Sequence, residues 1–237
     1  MRDLLGVNSS MPAPIAQLEL GRDGAELAPK ALDSSALATL EQVLAGQPRD
    51  VAGVRLFDVD GLVSFLAANG PIGSIAARNL GGMARPVRAI LFDKTASANW
   101  SLAWHQDRVI AVRERKEVEG FGPWTRKHGA LHVAPPFELL ASMLTLRAHL
   151  DPVPQSNAPL LIAPGSHRFG RIPESDVPEV VARCGVAICL ADVGDIWTYA
   201  TPILHASDRA SAATHRRVLQ VDYALGDLPG GLQWLGV

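Results

Sequence analysis

From Val87 onward the chain is a succession of short apolar runs separated by turn signals, and this texture limits the fold more than any other feature. The runs are Val87–Phe92, Leu102–His105, Val109–Val112, Met143–Leu150, Leu160–Ile162, Ala187–Leu190, Asp195–Tyr199 and Val218–Tyr223. Pro164-Gly165-Ser166, Asp192-Val193-Gly194 and Pro229-Gly230-Gly231 punctuate them. Each run is strand-length, and no long amphipathic helix alternates with them, so a βαβ fold is disfavoured. Upstream the pattern is mostly helical. Ser35–Ala45 places Leu37, Leu40 and Leu44 on one face and stops at Gly46, Asp60 is placed to cap a helix over Gly61–Ala68, and Pro71 opens another that ends near Gly81-Gly82. Ile15–Leu20 alternates as an edge strand would. The expectation is a mainly β sandwich or jelly roll buttressed by N-terminal helices. It forms one domain over 1–237, with a helical lead-in (1–85) and a β core (86–225).

The 237 residues suffice for one sizeable core, and 48% hydrophobic against 19% charged residues describe a globular chain. A formal net charge of −2 gives no pull toward nucleic acid or an anionic membrane, so neither is expected as a partner. Cys184 and Cys189 lack metal or redox spacing and read as free thiols. No apolar run reaches signal-peptide or membrane-spanning length. A cytoplasmic protein is expected.

Chemistry concentrates at His105-Gln106-Asp107. On a strand, alternation turns His105 and Asp107 to one side and Gln106 to the other. With His205, they form a three-point set that leaves one face of an octahedral ion open, as non-haem Fe(II) oxygenases require, although Zn, Mn and Ni bind such donors too. The remaining histidines fit less well. His128 and His132 lie among Gly129, Pro135 and Pro136, which oppose the helix that an H-x-x-x-H zinc site needs. His149 has no carboxylate at ligand spacing on its own face. His167 ends a Pro-Gly-Ser-His turn, where a bracing hydrogen bond is expected, and His215 adjoins Arg216 and Arg217. One of those two arginines faces inward, where it would clamp a dicarboxylate, and burial alone does not choose between them.

Taken together, Trp104-His-Gln-Asp107, Asn157 to His167, Gly194-Asp-Ile-Trp197, His205-Ala-Ser207 and His215-Arg-Arg217 resemble the phytanoyl-CoA dioxygenase family of Fe(II)/2-oxoglutarate-dependent oxygenases. The likeness runs from about Val87 to Tyr223. It implies a double-stranded β-helix (a cupin-like jelly roll) in which His105, Asp107 and His205 ligate iron. It also implies that Arg216 and Ser207 bind the distal carboxylate of 2-oxoglutarate, with Arg147 and Thr145 on a strand facing the same pocket. Fe(II), 2-oxoglutarate and O2 would be required, with ascorbate as an aid in vitro. Related halogenases replace the metal carboxylate by Ala or Gly, so the presence of Asp107 favours hydroxylation. Ala158 stands where relatives often carry Gly.

Residues 113–136 form a polar insertion, read either as a hairpin or lid beside the metal or as a solvated loop. Its Arg113, Arg115, Lys116, Arg126 and Lys127 are interleaved with Glu114, Glu117 and Glu119, which weakens the case for an acyl-CoA groove. A smaller apolar or amphipathic metabolite is preferred. Trp100, Phe121 and Trp124 are either pocket walls or core. The alternatives to an oxygenase are a zinc-dependent or a non-catalytic jelly roll using the same His/Asp/His set.

Overall fold

In the stretch Leu144-Thr-Leu-Arg-Ala-His149 all six residues are buried, yet they divide by alternation into two chemistries. Leu144, Leu146 and Ala148 join an apolar core, while Thr145, Arg147 and His149 face the other way. A strand buried on both faces with opposite polarities must lie between a hydrophobic layer and a polar interior. That is the plan of the whole molecule. The structure is a computed structural model and describes residues 18–48, 51–127, 129–211 and 215–237.

The lead-in comprises α1 (Leu20–Asp23), β1 (Ala25–Ala28), α2 (Ser34–Leu44), β2 (Val54–Arg55), α3 (Leu62–Leu66) and α4 (Gly73–Leu80). There follow β3 (Ala84–Lys94), β4 (Leu102–His105), β5 (Ile110–Val112), β6 (Trp124–Lys127), β7 (Ala130–Val133), α5 (Phe137–Ala141), β8 (Leu144–His149) and β9 (Leu160–Ile162). The chain ends with α6 (Val177–Cys184), β10 (Ala187–Cys189), β11 (Ile196–Ala200), β12 (His205–Ser207) and β13 (Arg216–Leu225).

The large sheet has the order β1-β11-β8-β13-β3-β2 and the small one β10-β9-β12-β4, all antiparallel. Together they make the expected mainly β jelly roll. Helices α2, α3 and α4 cover the outer face of the large sheet. Leu40, Leu66 and Ile72 pack there against Leu91, Leu146, Leu219 and Val221. Fully burying one such leucine contributes on the order of 2 kcal/mol, so this helical layer anchors the sheet that carries half of the site. Tyr223 adds a polar tie, its hydroxyl donating to the Leu66 carbonyl at 3.1 Å.

Several boundaries differ from expectation for local reasons. The Asp33 side chain accepts from the Ala36 amide at 2.8 Å and starts α2 at Ser34. Gly61, at φ +80°, rather than Asp60, precedes α3. Strand β3 extends past Phe92 to Lys94 because β13 pairs with it along its whole length. Of the alternating segment Ile15–Leu20, residues 15–17 lie outside the described residues and Leu20 opens α1. The strand is β1 instead, paired with β11. The insertion folds as the hairpin β6–β7, which joins β5 in a third sheet of order β5-β7-β6. Phe121 and Trp124 pack there against a core that includes Val112, Val133 and Trp234, so these two aromatics are core residues. His128 lies outside the described residues.

Candidate active site

The inner faces of the two sheets enclose a cavity of about 120 Å³ whose lining includes His105, Asp107, His205, Ser207, Arg147 and Arg216. His105 and His205 are register partners across β4 and β12. Their rings stand with centroids 4.2 Å apart. Asp107 follows two residues beyond the end of β4, where the alternation persists without a strand. Gln106, turned away, fixes that segment: its amide donates to the carbonyls of Gly170 (3.0 Å) and Pro202 (2.8 Å), and its oxygen accepts from the Ile172 amide (2.9 Å).

One ligand-capable atom each from His105, Asp107 and His205 lies within 4.8 Å of the others. The donor set fits an ion in detail. Each imidazole directs Nδ1 at a carbonyl two residues earlier, His105 at Ala103 (2.8 Å) and His205 at Ile203 (3.0 Å). That fixes the proton on Nδ1 and leaves the Nε2 lone pair for a metal. Burial above all, and then His105, pushes the His205 pKa down to about 4, so its ring is neutral at physiological pH. Burial disfavours the charge on Asp107, but Arg88 and the two imidazoles outweigh it and hold the carboxyl below its ordinary range. Arg88 reaches one Asp107 oxygen at 3.2 Å and Asp222 at 2.5 Å. Asp222 in turn accepts from Thr145 (3.1 Å), which contacts Thr201 (3.1 Å). Thr145 therefore shares the inner face but belongs to this carboxylate network, and it does not line the cavity.

The opposite wall has another character. Arg216 is 3% exposed, with Nη1 directed at the Ala158 carbonyl and at Ser207 Oγ (3.3 Å). Its neighbour Arg217 points outward to Asp151 (2.7 Å) and Glu41 (3.0 Å), which settles which arginine faces in. Arg147 donates to Gln220 at 3.0 Å, and its guanidinium lies over Phe92. Lys94, fully buried opposite Arg216 in the β3–β13 ladder, donates to the carbonyls of Trp100 and Asp208, both at 2.7 Å. Among the described residues no carboxylate pairs with Arg216, Arg147 or Lys94, and Nε of both arginines has no partner at all. Burial first, then Arg216 and Arg147, brings the Lys94 pKa down to about 7. Burial and Arg147 bring that of Arg216 to about 9. Buried cations without counterions are costly unless an anion joins them.

With this geometry in view, comparison with known proteins is decisive. The sequence profile described as phytanoyl-CoA dioxygenase (PhyH) matches residues 66–227, well over half the chain. The chain belongs to the phytanoyl-CoA dioxygenase family. Its enzymes are iron- and 2-oxoglutarate-dependent oxygenases, an oxidoreductase class. A comparison with the curated proteins finds no match. Solved structures share the PhyH-type fold at low identity. EctD from S. alaskensis, in its apo form, is 17% identical with a TM-score of 0.66, covering 92% of this chain and 78% of its own. SnoK, a non-haem alpha-ketoglutarate-dependent carbocyclase from nogalamycin biosynthesis, is 16% identical with a TM-score of 0.64, covering 96% and 91%. HygX from Streptomyces hygroscopicus, crystallised with nickel and 2-oxoglutarate, is 14% identical with a TM-score of 0.58, covering 87% and 84%.

Within this PhyH domain, sequence reading did not single out Arg88, Lys94, Gln220 or Asp222. The signal was present for the first two, because Arg88 and Lys94 share the face of β3 that carries Ile90 and Phe92 into the cavity. The strand expected to end at Phe92 left Lys94 out. Other histidines have separate settings. His149 is buried with neither ring nitrogen partnered, and burial lowers its pKa to about 3. His215 faces Asp93 at 3.1 Å. His167 does not brace its turn by the expected hydrogen bond. It packs on Gly24, where an added Cβ would meet Nδ1 at 2.2 Å.

Proposed function

We propose that this protein is an Fe(II)- and 2-oxoglutarate-dependent dioxygenase that hydroxylates a small or medium-sized organic metabolite, with succinate and CO2 as co-products. The observation that carries the reading is the pairing of a two-imidazole, one-carboxylate set with a buried cluster of Arg216, Arg147 and Lys94 that no carboxylate among the described residues neutralises. The first is a cation site, and the second suits a dianion.

His105, Asp107 and His205 would hold Fe(II) on one face. Arg216 and Ser207 would take the distal carboxylate of 2-oxoglutarate, with Lys94 and Arg147 adding charge. Thr145 acts further back, by fixing Asp222. Bound Fe(II), with 2-oxoglutarate and O2, supplies the oxidising power for hydroxylating a C–H bond. The chain's own work is to orient and to exclude water. The backbone carbonyls hold both imidazoles in the tautomer that presents Nε2, Arg88 keeps Asp107 ionised and aimed, and the apolar wall of Phe92, Ile90 and Leu160 dries the cavity. No general acid or base is needed. Trp100, unlike the insertion aromatics, does line the cavity and would border the substrate. Both cysteines are free, which supports a reducing compartment, the cytoplasm. No helix among the described residues is long and apolar enough to cross a membrane.

The test is turnover of 2-oxoglutarate by purified protein with Fe(II) and ascorbate, read as succinate, first without and then with a metabolite panel. Slow succinate release that a panel member stimulates is expected, and Asp107→Ala should lower it more than about 100-fold. A zinc-loaded protein with no oxygen-dependent succinate would overturn the reading.

A further inference from the structure

We propose that the primary substrate carries an anionic oxygen group, a carboxylate or a phosphate, and that Arg55, on the edge strand beside the cavity, receives it. The proposal rests on the functional reading above and adds the substrate's chemical class.

Arg55 lies on β2 directly opposite Ile90 of β3. Opposite residues in a ladder share a face, and Ile90 lines the cavity with its strand neighbours Arg88 and Phe92. Arg55 is thus on the cavity side of the sheet, next to the lining residue Ile90 but outside the lining itself. It makes no hydrogen bond or ion pair to any described residue, and its Nε and Nη1 are closed off from solvent without a partner. The carboxylates whose charge reaches it, Asp222 and Asp107, are already engaged by Arg88. Burial and the Arg88 charge both weaken the Arg55 cation, the burden that an incoming anion relieves.

A second unpartnered group feels its charge. His132 on β7 is fully buried, and its Nδ1 faces the Ala130 carbonyl at 3.1 Å, so Nε2 presents a lone pair, with no partner. Burial above all, and then the Arg55 charge, lowers the pKa of that ring to about 4. A guanidinium with unpartnered donors suits an oxyanion, and the free acceptor of His132 suits a hydroxyl or amine on the same molecule. This pair is distinct from the inner cluster of Arg216, Arg147 and Lys94. Ile90 and Gln220 separate Arg55 from Arg147 across the sheet, Lys94 and Arg216 pair further along β3, and Arg88, two residues the other way, borders Asp107.

The test is calorimetric binding to the full chain loaded with Zn(II), which supports no oxygen chemistry, with 2-oxoglutarate saturating so that the inner cations are occupied. The probes are two matched pairs: cyclohexanecarboxylate against cyclohexanecarboxamide, and cyclohexyl phosphate against cyclohexanol. An anion preference of about tenfold or more is expected in at least one pair. It should fall below about threefold in Arg55→Met and partly return in Arg55→Lys, with thermal melting confirming that both variants fold. A preference confined to one pair identifies the group as carboxylate or phosphate. Equal binding within both pairs, no binding by any of the four probes, or a preference that persists in Arg55→Met overturns the proposal. Titration of 2-oxoglutarate alone into the wild-type protein separates the two readings: its absence defeats the co-substrate assignment, whereas its presence with no anion preference defeats only the Arg55 proposal.

Discussion

The two ends of the cavity are built from similar residues and balanced in opposite ways. At the metal end, Arg88 is met by Asp107 and Asp222, and both imidazoles direct Nδ1 at backbone carbonyls. At the inner end, Arg216, Arg147 and Lys94 meet carbonyls, hydroxyls, an amide and aromatic faces, and no carboxylate among the described residues. Surplus donor electrons at one end call for a cation, and surplus positive charge at the other calls for an anion. The protein carries both imbalances about one small cavity, and a single bidentate ligand bridging an ion to a guanidinium would resolve them together.

The comparison breaks most visibly at Arg216. Arg216→Met should weaken 2-oxoglutarate binding about 100-fold, close to 3 kcal/mol, by calorimetry on the Zn(II)-loaded protein. An unchanged affinity would mean that the inner cations serve some other purpose. At the metal end, Arg88→Gln should leave 2-oxoglutarate contacts in place but loosen Asp107, weakening metal affinity about tenfold. Competition with a chromogenic chelator measures this. Equal losses of metal and co-substrate affinity in both variants would dissolve the distinction between the two ends.

The finest resolution comes from Lys94. Its pKa is near 7 in the fold and 10.5 in the unfolded chain. Between those values the unfolded state binds more protons, so stability rises with pH across that window, while below pH 7 the burial penalty is present in full. Thermal melts should show that rise in the wild type, and Lys94→Met should flatten it. The same titration should weaken 2-oxoglutarate binding about fivefold as pH rises from ~6 to ~8.5, a slope that Lys94→Met should also remove.

Much of this was legible from local chemistry, and the misses have physical causes. Strand alternation placed His105 and Asp107 together although β4 ends at His105. The choice between Arg216 and Arg217 needed tertiary partners, because neighbouring strand positions differ only in which face is covered. Arg88 and Asp222 are 134 residues apart in sequence, and only the β3–β13 register brings them into contact. The insertion's polar surface concealed the apolar face on which its hairpin packs, because Leu131 and Val133 flank a histidine and pair with a strand, Trp124-Thr-Arg-Lys127, that is mostly polar. Ala158 shows the reverse. A residue that departs from the expected Gly holds φ +51°, a strain of roughly 1 kcal/mol, and its carbonyl is the one that meets Arg216 and Ser207.

His105 and His205 face each other across the pairing of β4 with β12, and β4 is an edge strand attached to its sheet by that partner alone. An ion shared between the two imidazoles would rivet this border. Removing it would free the margin of the sheet beside the reaction chamber, so that metal loading governs how tightly the chamber is sealed as well as whether it can react.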